Sequence, residues 1–223
     1  MKAKFFLLAL SLAAVLAACN QEEAKAEPKP VPELVAPQDA GTQVLKMIME
    51  RRSVRKYLDK PVEHEKLEKI VECGLNAPNG MNKQLWAVRV VEDRNFVTEV
   101  TEIFKKEQPE TVANDPSFKT MFRNAYTVIA VATRGGEAKN DGDLISAGML
   151  GENMILAAQA LGLGTCTLGG PVNFLKTSEA AKPYLDRLAL PEGYDLTYMI
   201  AVGYPDETPE YPGRDLSKVE YLR

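Results

Sequence analysis

The order of elements legible in the sequence predicts an α+β fold, a sandwich of helices around a central sheet. Two observations carry that expectation. Runs rich in β-branched and aromatic residues mark strands at Leu85–Val91, Tyr126–Thr133, Gly164–Leu168 and Leu196–Val202, yet the helical stretches between them do not follow the regular βαβ alternation of a doubly wound sheet. A run from Asp143 to Leu161 is apolar nearly all round, which predicts a helix buried at the centre of a domain. With 223 residues and 45% hydrophobic content, the chain can build one ordinary globular core. No internal repeat is visible.

The N-terminus carries the parts of an export signal. Lys2 and Lys4 precede an apolar run from Phe5 to Leu16, and small residues end in Leu16-Ala17-Ala18-Cys19. The run is shorter than the ~18–20 apolar residues a membrane-spanning helix needs. It resembles the signal of a bacterial lipoprotein, which implies removal of residues 1–18, lipidation of Cys19, and a mature chain in the cell envelope, held at a membrane outside the cytoplasm. Residues 19–41 are polar, with Pro28, Pro30, Pro32 and Pro37, and predict a flexible tether because they cannot bury enough apolar surface to order themselves. The catalytic domain is then expected over 42–223.

Within it, Thr42 reads as the N-cap of an amphipathic helix carrying Val44, Leu45, Ile48 and Met49, with Arg51 and Arg52 at the end where cations suit the dipole. A second helix is expected from near Pro61, with Leu67, Ile70, Val71, Gly74 and Leu75 on one face, stopping before the loop Ala77-Pro78-Asn79-Gly80. Phe96, Val100, Ile103 and Phe104 mark a helix between the first two strands. In the long apolar helix, Gly148 and Gly151 leave room for close approach of another helix or chain. A last helical piece is expected around Ser178–Leu188. Cys73 and Cys166 read as small packed hydrophobes or as the partners of one disulfide, which sequence alone does not decide.

Several chemistries are disfavoured. The formal net charge of −4 shows no basic excess, so nucleic acid is not an expected partner. Gly162 and Gly164 follow a helix rather than a strand, so they are no dinucleotide fingerprint and read as the end of that helix. No metal-ligand spacing is present, and the sole histidine, His64, sits between Glu63 and Glu65 as a solvated residue, which leaves no base for a Ser–His or Cys–His hydrolase.

What remains is the basic block Arg51-Arg52-Ser53-Val54-Arg55-Lys56-Tyr57. It reads either as charge complementing a helix C-terminus or as guanidinium forks and a hydroxyl converging on a phosphate. A helix ending in this block, followed one helix later by Ala77-Pro78-Asn79-Gly80-Met81-Asn82-Lys83-Gln84-Leu85-Trp86, resembles the nitroreductase family. The later Leu161-Gly162-Leu163-Gly164-Thr165-Cys166-Thr167-Leu168-Gly169-Gly170 and the end Val202-Gly203-Tyr204-Pro205 with Arg214 are similar to the same family in the same order.

That resemblance implies a mainly antiparallel sheet, a homodimer, and FMN held by both chains. Arg51, Ser53 and Arg214 are implied to hold the phosphate, with Arg52 joining them, and Arg55 to stand near the pyrimidine edge of the ring. Pro78, Asn79, Gly80 and Asn82, and more weakly Gln84, are implied to reach the cofactor from the partner subunit. Leu168, Gly169 and Gly170 are implied to pass beside the flavin N5 and offer backbone amides. Gly169 stands where many relatives carry an acidic residue, Asn79-Gly80 replaces the usual serines, and Leu85 replaces proline. A further family contact from the segment before Tyr126 has Lys119 as its candidate. Trp86 and Tyr57 read as packing residues, and Asn82 outside its motif would be a turn residue.

The activity implied is FMN-dependent electron transfer, by a ping-pong mechanism, from a reductant to an electron-poor acceptor such as a nitroaromatic or quinone. The alternatives are a flavin-dependent dehalogenase or ring oxidase on the same fold, and a non-enzymatic flavin-binding lipoprotein. NADH or NADPH is the expected donor in vitro. For an exported chain, a membrane quinol or another exported redox protein is the expected physiological donor.

Overall fold

A computed structural model describes residues 39–223; the export signal, Cys19 and all but the end of the expected tether lie outside the described residues. The first helix, α1, spans Ala40–Glu50. Thr42 therefore sits inside it rather than capping it, and the last tether positions, Ala40 and Gly41, are helical. Asp39, itself a capping type, immediately precedes the first helical residue. None of α1 is buried: Val44, Leu45, Ile48 and Met49 are all exposed. Arg51 and Arg52 fall just past the helix end. The Arg52 guanidinium donates to the carbonyls of Met49 and Arg51, each at 2.7 Å, satisfying acceptors that a helix terminus leaves orphaned.

The helix α2 spans His64–Leu75, starting later than Pro61 because Val62 turns inward into the core. Leu67, Ile70 and Gly74 are buried as expected, Val71 is half-buried, and Leu75 faces outward. The strand β1 (Trp86–Val91) is followed by α3 (Arg94–Glu107), capped by the Asp93 side chain, and by a short α4 (Pro109–Ala113) that the sequence reading did not foresee. Then come β2 (Thr127–Arg134), α5 (Asp141–Ala160), β3 (Gly164–Leu168), α6 (Gly170–Thr177), α7 (Lys182–Arg187) and β4 (Tyr194–Gly203). The helical piece expected around Ser178–Leu188 is α7, which starts later, and α6 before it was not foreseen. Ser178 lies between them, its buried hydroxyl accepting from the Ala181 N–H at 3.1 Å.

The sheet has strand order β1-β2-β4-β3 with every pairing antiparallel. Its two faces are both covered, and the period of two along a strand sorts the side chains between them. Val128, Ala130, Met199 and Ala201 pack with α3, α6 and α7, whereas Ile129, Val131, Ile200 and Val202 pack with α2 and α5. A central strand buried on both sides explains why Thr127–Arg134 reads as an almost unbroken apolar run.

In α5 the expectation of all-round burial holds on one side only. Ala147, Leu150, Met154 and Ala158 are buried, while Ile145 is 63% exposed. Gly151 meets the Tyr198 ring, whose hydroxyl donates to the Ala147 carbonyl, but Gly148 faces open space. Gly162 does end the helix, at φ 74°, but Gly164 lies within β3.

The Tyr204 hydroxyl ties the end of β4 to the start of α2, donating to Glu63 at 2.5 Å and accepting from Lys66 at 2.8 Å. That hydrogen bond first, and a backbone one second, pull the Glu63 carboxyl from its ordinary 4.5 down to about 2. A depressed folded-state value means stabilisation present above about pH 4.5 and lost as pH falls toward 2. Tyr204→Phe is therefore expected to be less stable than the parent at neutral pH, with the gap narrowing through that window. Urea titrations at stepped pH check it; a gap independent of pH contradicts it.

Candidate functional site

The basic block leaves α1 and runs extended along the end of the sheet. Ser53 forms a parallel bridge with Thr165, and the Val54 N–H donates to the Thr165 carbonyl at 2.9 Å. Tyr57 pairs with Pro205, and its buried hydroxyl donates to the Val54 carbonyl at 2.6 Å. These contacts require glycine at two places. A Cβ on Gly164 would lie 2.7 Å from a Val54 methyl, and one on Gly203 would lie 2.8 Å from the Tyr57 ring. Because Val54 is β-branched and buried, it cannot swing away. Gly164→Ala is expected to cost about 1–3 kcal/mol of stability by overpacking and to displace Ser53 and Arg55 together. Denaturant midpoints check the first effect.

Packed this way, Arg55 and Lys56 open onto a cavity of about 540 Å³ whose lining also includes Leu168, Gly169 and Gly170. That size suits a cofactor or small ligand, for which ~300–1,000 Å³ is usual. Glu207 fixes the block from below, its carboxylate accepting from the backbone N–H groups of Arg55 at 2.5 Å and Lys56 at 3.1 Å. The Arg55 guanidinium donates to the Ser53 carbonyl at 3.0 Å. Behind the wall, burial pushes the Cys166 thiol up, against the opposing pull of Arg55, Arg123 and Arg51. Cys166 and Cys73 are both free, the first buried and the second half-buried.

Other expected site residues lie apart. Arg51 is half-buried, its Nε 3.9 Å from Glu152. Arg52 and Arg214 each stack on the Tyr211 ring, 4.7 and 5.4 Å from its centroid. Pro78 is exposed. Asn79, Gly80 and Gln84 line a separate hollow of about 220 Å³ with Arg134 and Asp143, themselves ion-paired at 2.7 Å. In that loop Met81, Asn82 and Gln84 all hold left-handed backbone, at φ 54°, 53° and 50°, a conformation that side-chain-bearing residues rarely adopt without surrounding restraint. Asn79 supplies part of it, its side-chain oxygen accepting from the Gln84 N–H at 2.8 Å. One chain thus brings Arg55 together with Leu168, Gly169 and Gly170, and keeps the 78–84 loop elsewhere.

Residues 48–204 match the model of the nitroreductase family. The chain belongs to the nitroreductase family. It is 30% identical over 169 residues to a protein of Archaeoglobus fulgidus described as an NADH dehydrogenase/NAD(P)H nitroreductase, covering 75% of this chain and 88% of the relative. Among solved structures, a nitroreductase with bound FMN from Desulfitobacterium hafniense superposes with a TM-score of 0.72 at 25% identity, over 81% of this chain and 98% of that one. An FMN-dependent nitroreductase from Clostridium difficile gives 0.67 at 28%, over 82% and 100%.

The nitroreductase cavity also contains what the sequence reading missed. Arg123, not Lys119, lines it, together with Asp115, Thr120 and Asn124. Arg123 and Asn124 are left-handed, at φ 56° and 68°; an Asn three residues before the first residue of β2 was the available signal, since Asn tolerates that region better than most residues. The donor set fits a flavin. Gly169 and Gly170 have no atom within 4 Å of where a Cβ would stand, leaving room for a ligand to approach their backbone, and α6 starts at Gly170 without a side-chain cap, so the Gly170 N–H lacks an intrahelical acceptor.

Proposed function

We propose that this chain is an FMN-dependent oxidoreductase that passes electrons from a reductant, NADH or NADPH in vitro, to an electron-poor acceptor of the nitroaromatic or quinone type. The observation that carries the reading is the convergence of the Arg55 cation and the open Leu168–Gly170 backbone on one cavity, in a chain whose relatives are described as nitroreductases. Bound FMN supplies the redox chemistry, taking up two electrons from the donor and yielding them to the acceptor.

The chain's own residues bind, orient and polarise. Arg51, Ser53 and Arg214, with Arg52, are assigned to the phosphate, where guanidinium forks grip an anion bidentately. Arg55 is assigned to the pyrimidine edge, where a fixed cation offsets negative charge gathered on reduction. The amides of the 168–170 segment orient the ring. The separation of the 78–84 loop from these groups within one chain supports a homodimer in which Pro78, Asn79, Gly80, Asn82 and Gln84 complete the partner's site. The exposed apolar face of α1 and the exposed Ile145 of α5 supply surface for such an interface.

The sequence of residues 1–19 supports a further reading, that the mature chain is lipidated at Cys19 and held in the cell envelope. Among the described residues no helix is long and apolar enough to cross a membrane. For a chain so placed, a quinol or an exported redox protein is the proposed donor in the cell. Cys19→Ala is expected to shift the protein from the membrane to the soluble fraction; wild-type protein found in the cytosol would refute the anchor.

Turnover tests the enzymatic reading. The FMN-loaded protein is expected to be reduced by NADH or NADPH under anaerobic mixing and reoxidised by nitroaromatic and quinone acceptors faster than free FMN. Reoxidation no faster than free FMN would make the chain a binding protein.

A further inference from the structure

The cavity has a second wall, from the segment where the family resemblance implied one further contact by Lys119, but Lys119 does not line it. The segment between α4 and β2 forms it, and the left-handed pair Arg123 and Asn124 lies within that segment. Such backbone persists when the surroundings over-determine it, and Asn124 provides the restraint. Its buried side-chain oxygen accepts from the N–H groups of Lys119 at 2.7 Å and Thr120 at 3.2 Å, and its amide nitrogen donates to the carbonyls of Ser117 at 3.2 Å and Arg55 at 3.3 Å. One amide therefore locks the chain next to Arg123 onto the basic block. On the other side, Phe122 is fully buried.

Arg123 itself is exposed and, among the described residues, has no carboxylate within 4.0 Å. Of the acidic groups that share the cavity, Asp115 lies near enough for Arg123 and Lys56 to help hold its carboxyl low, after the Ser117 hydrogen bonds, but neither it nor Glu207 ion-pairs with Arg123. Asp115 accepts from the Ser117 N–H at 3.0 Å and hydroxyl at 2.7 Å, and Glu207 accepts from the backbone of Arg55 and Lys56. With Arg55 assigned to the flavin, Arg123 and Lys56 remain as cations beside the apolar Phe118, Met121 and Leu168. A cation beside apolar walls attracts an anion more strongly than it would in bulk water.

We propose that Arg123 is a specificity-determining residue that selects aromatic electron acceptors bearing an anionic substituent, such as a carboxylate or sulfonate, over their neutral analogues. The guanidinium fork matches such a group bidentately, and the apolar side chains take the ring. Because the backbone at Arg123 is already fixed, only its side chain remains to be ordered on binding. The inference rests on the flavin oxidoreductase reading.

The test uses the full chain loaded with FMN and two non-reducible probes, benzoate and benzyl alcohol, with binding read from perturbation of the flavin spectrum. Benzoate is expected to bind about tenfold or more tighter than benzyl alcohol, the scale of one hydrogen bond to a charged group. Arg123→Gln is expected to abolish that preference and Arg123→Lys to restore most of it, with FMN content and unfolding midpoint unchanged. In turnover, the preference for 4-nitrobenzoate over 4-nitrobenzyl alcohol should fall through KM rather than kcat. Equal affinities in the wild type, or a preference that survives in Arg123→Gln, would overturn the proposal while leaving the flavin reading intact. Adenosine 2′,5′-bisphosphate gaining from Arg123 where benzoate does not would overturn it too, assigning the cation to a nicotinamide dinucleotide. Wild-type protein that cannot bind FMN would overturn both readings.

Discussion

Arg51→Ala is expected to weaken FMN binding by about 1.5–3 kcal/mol, roughly ten- to more than a hundredfold, the scale for losing a hydrogen bond to a charged group. The guanidinium is only 23% exposed, and the Glu152 carboxylate lies a loose 3.9 Å away, so the side chain is positioned without being consumed by an ion pair. Its removal should leave the core intact, because neither hydrophobic cluster includes it. Arg214→Ala should act in the same direction and at the lower end, since Arg214 is exposed beside Tyr211. Riboflavin, which lacks the phosphate, is the control. Its affinity is expected to be indifferent to both substitutions, and an equal loss for riboflavin would make the arginines structural. Fluorescence titration of both flavins against each variant gives the answer.

Phe122→Ala is expected to cost about 3–5 kcal/mol of stability, the range for removing a buried aromatic ring and leaving a cavity. Phe122 is 0% exposed and belongs to the cluster formed with α3 and the sheet. It also directly precedes Arg123 and Asn124, whose left-handed backbone needs its surroundings to stay in place. The loss should therefore appear twice, as a lowered urea midpoint with unchanged slope and as a weakened anion preference at Arg123. A change below 1 kcal/mol would mean that the site collapses around the missing ring.

Much of the fold was legible because local pattern and tertiary packing agree. The strands at Leu85–Val91 and Tyr126–Thr133 fall within a residue of β1 and β2, since a buried sheet favours β-branched runs on both faces. The boundaries that moved did so where tertiary contacts decide. Val62 is drawn into the core and delays α2, and Ser178 falls between α6 and α7, so the piece expected from Ser178 begins only at Lys182. The apolar run of α5 promised burial all round, but period alone cannot tell a helix covered by its own chain from one with an apolar side left open, as at Ile145. The same ambiguity hides in α1, whose amphipathic pattern is real while none of its residues is buried.

In the candidate site, Arg55 and Leu168 to Gly170 were found through motifs, and they do converge. Arg52 caps the end of α1 as well as joining Arg214 at Tyr211, so the structural and the phosphate-binding readings of the basic block are compatible. Arg123 escaped notice because it lies far in sequence from the block it joins. Its placement depends on the Asn124 amide reaching the Arg55 carbonyl, a long-range contact that leaves no periodic trace.

Each chain is proposed to hold FMN in a site that a second copy completes. Size-exclusion chromatography of the purified protein, with light scattering and flavin absorbance recorded in line, tests it most directly. The expected result is a yellow dimer carrying an FMN on each chain. A protein that stays colourless after incubation with FMN, or a monomer that retains its flavin, would contradict it.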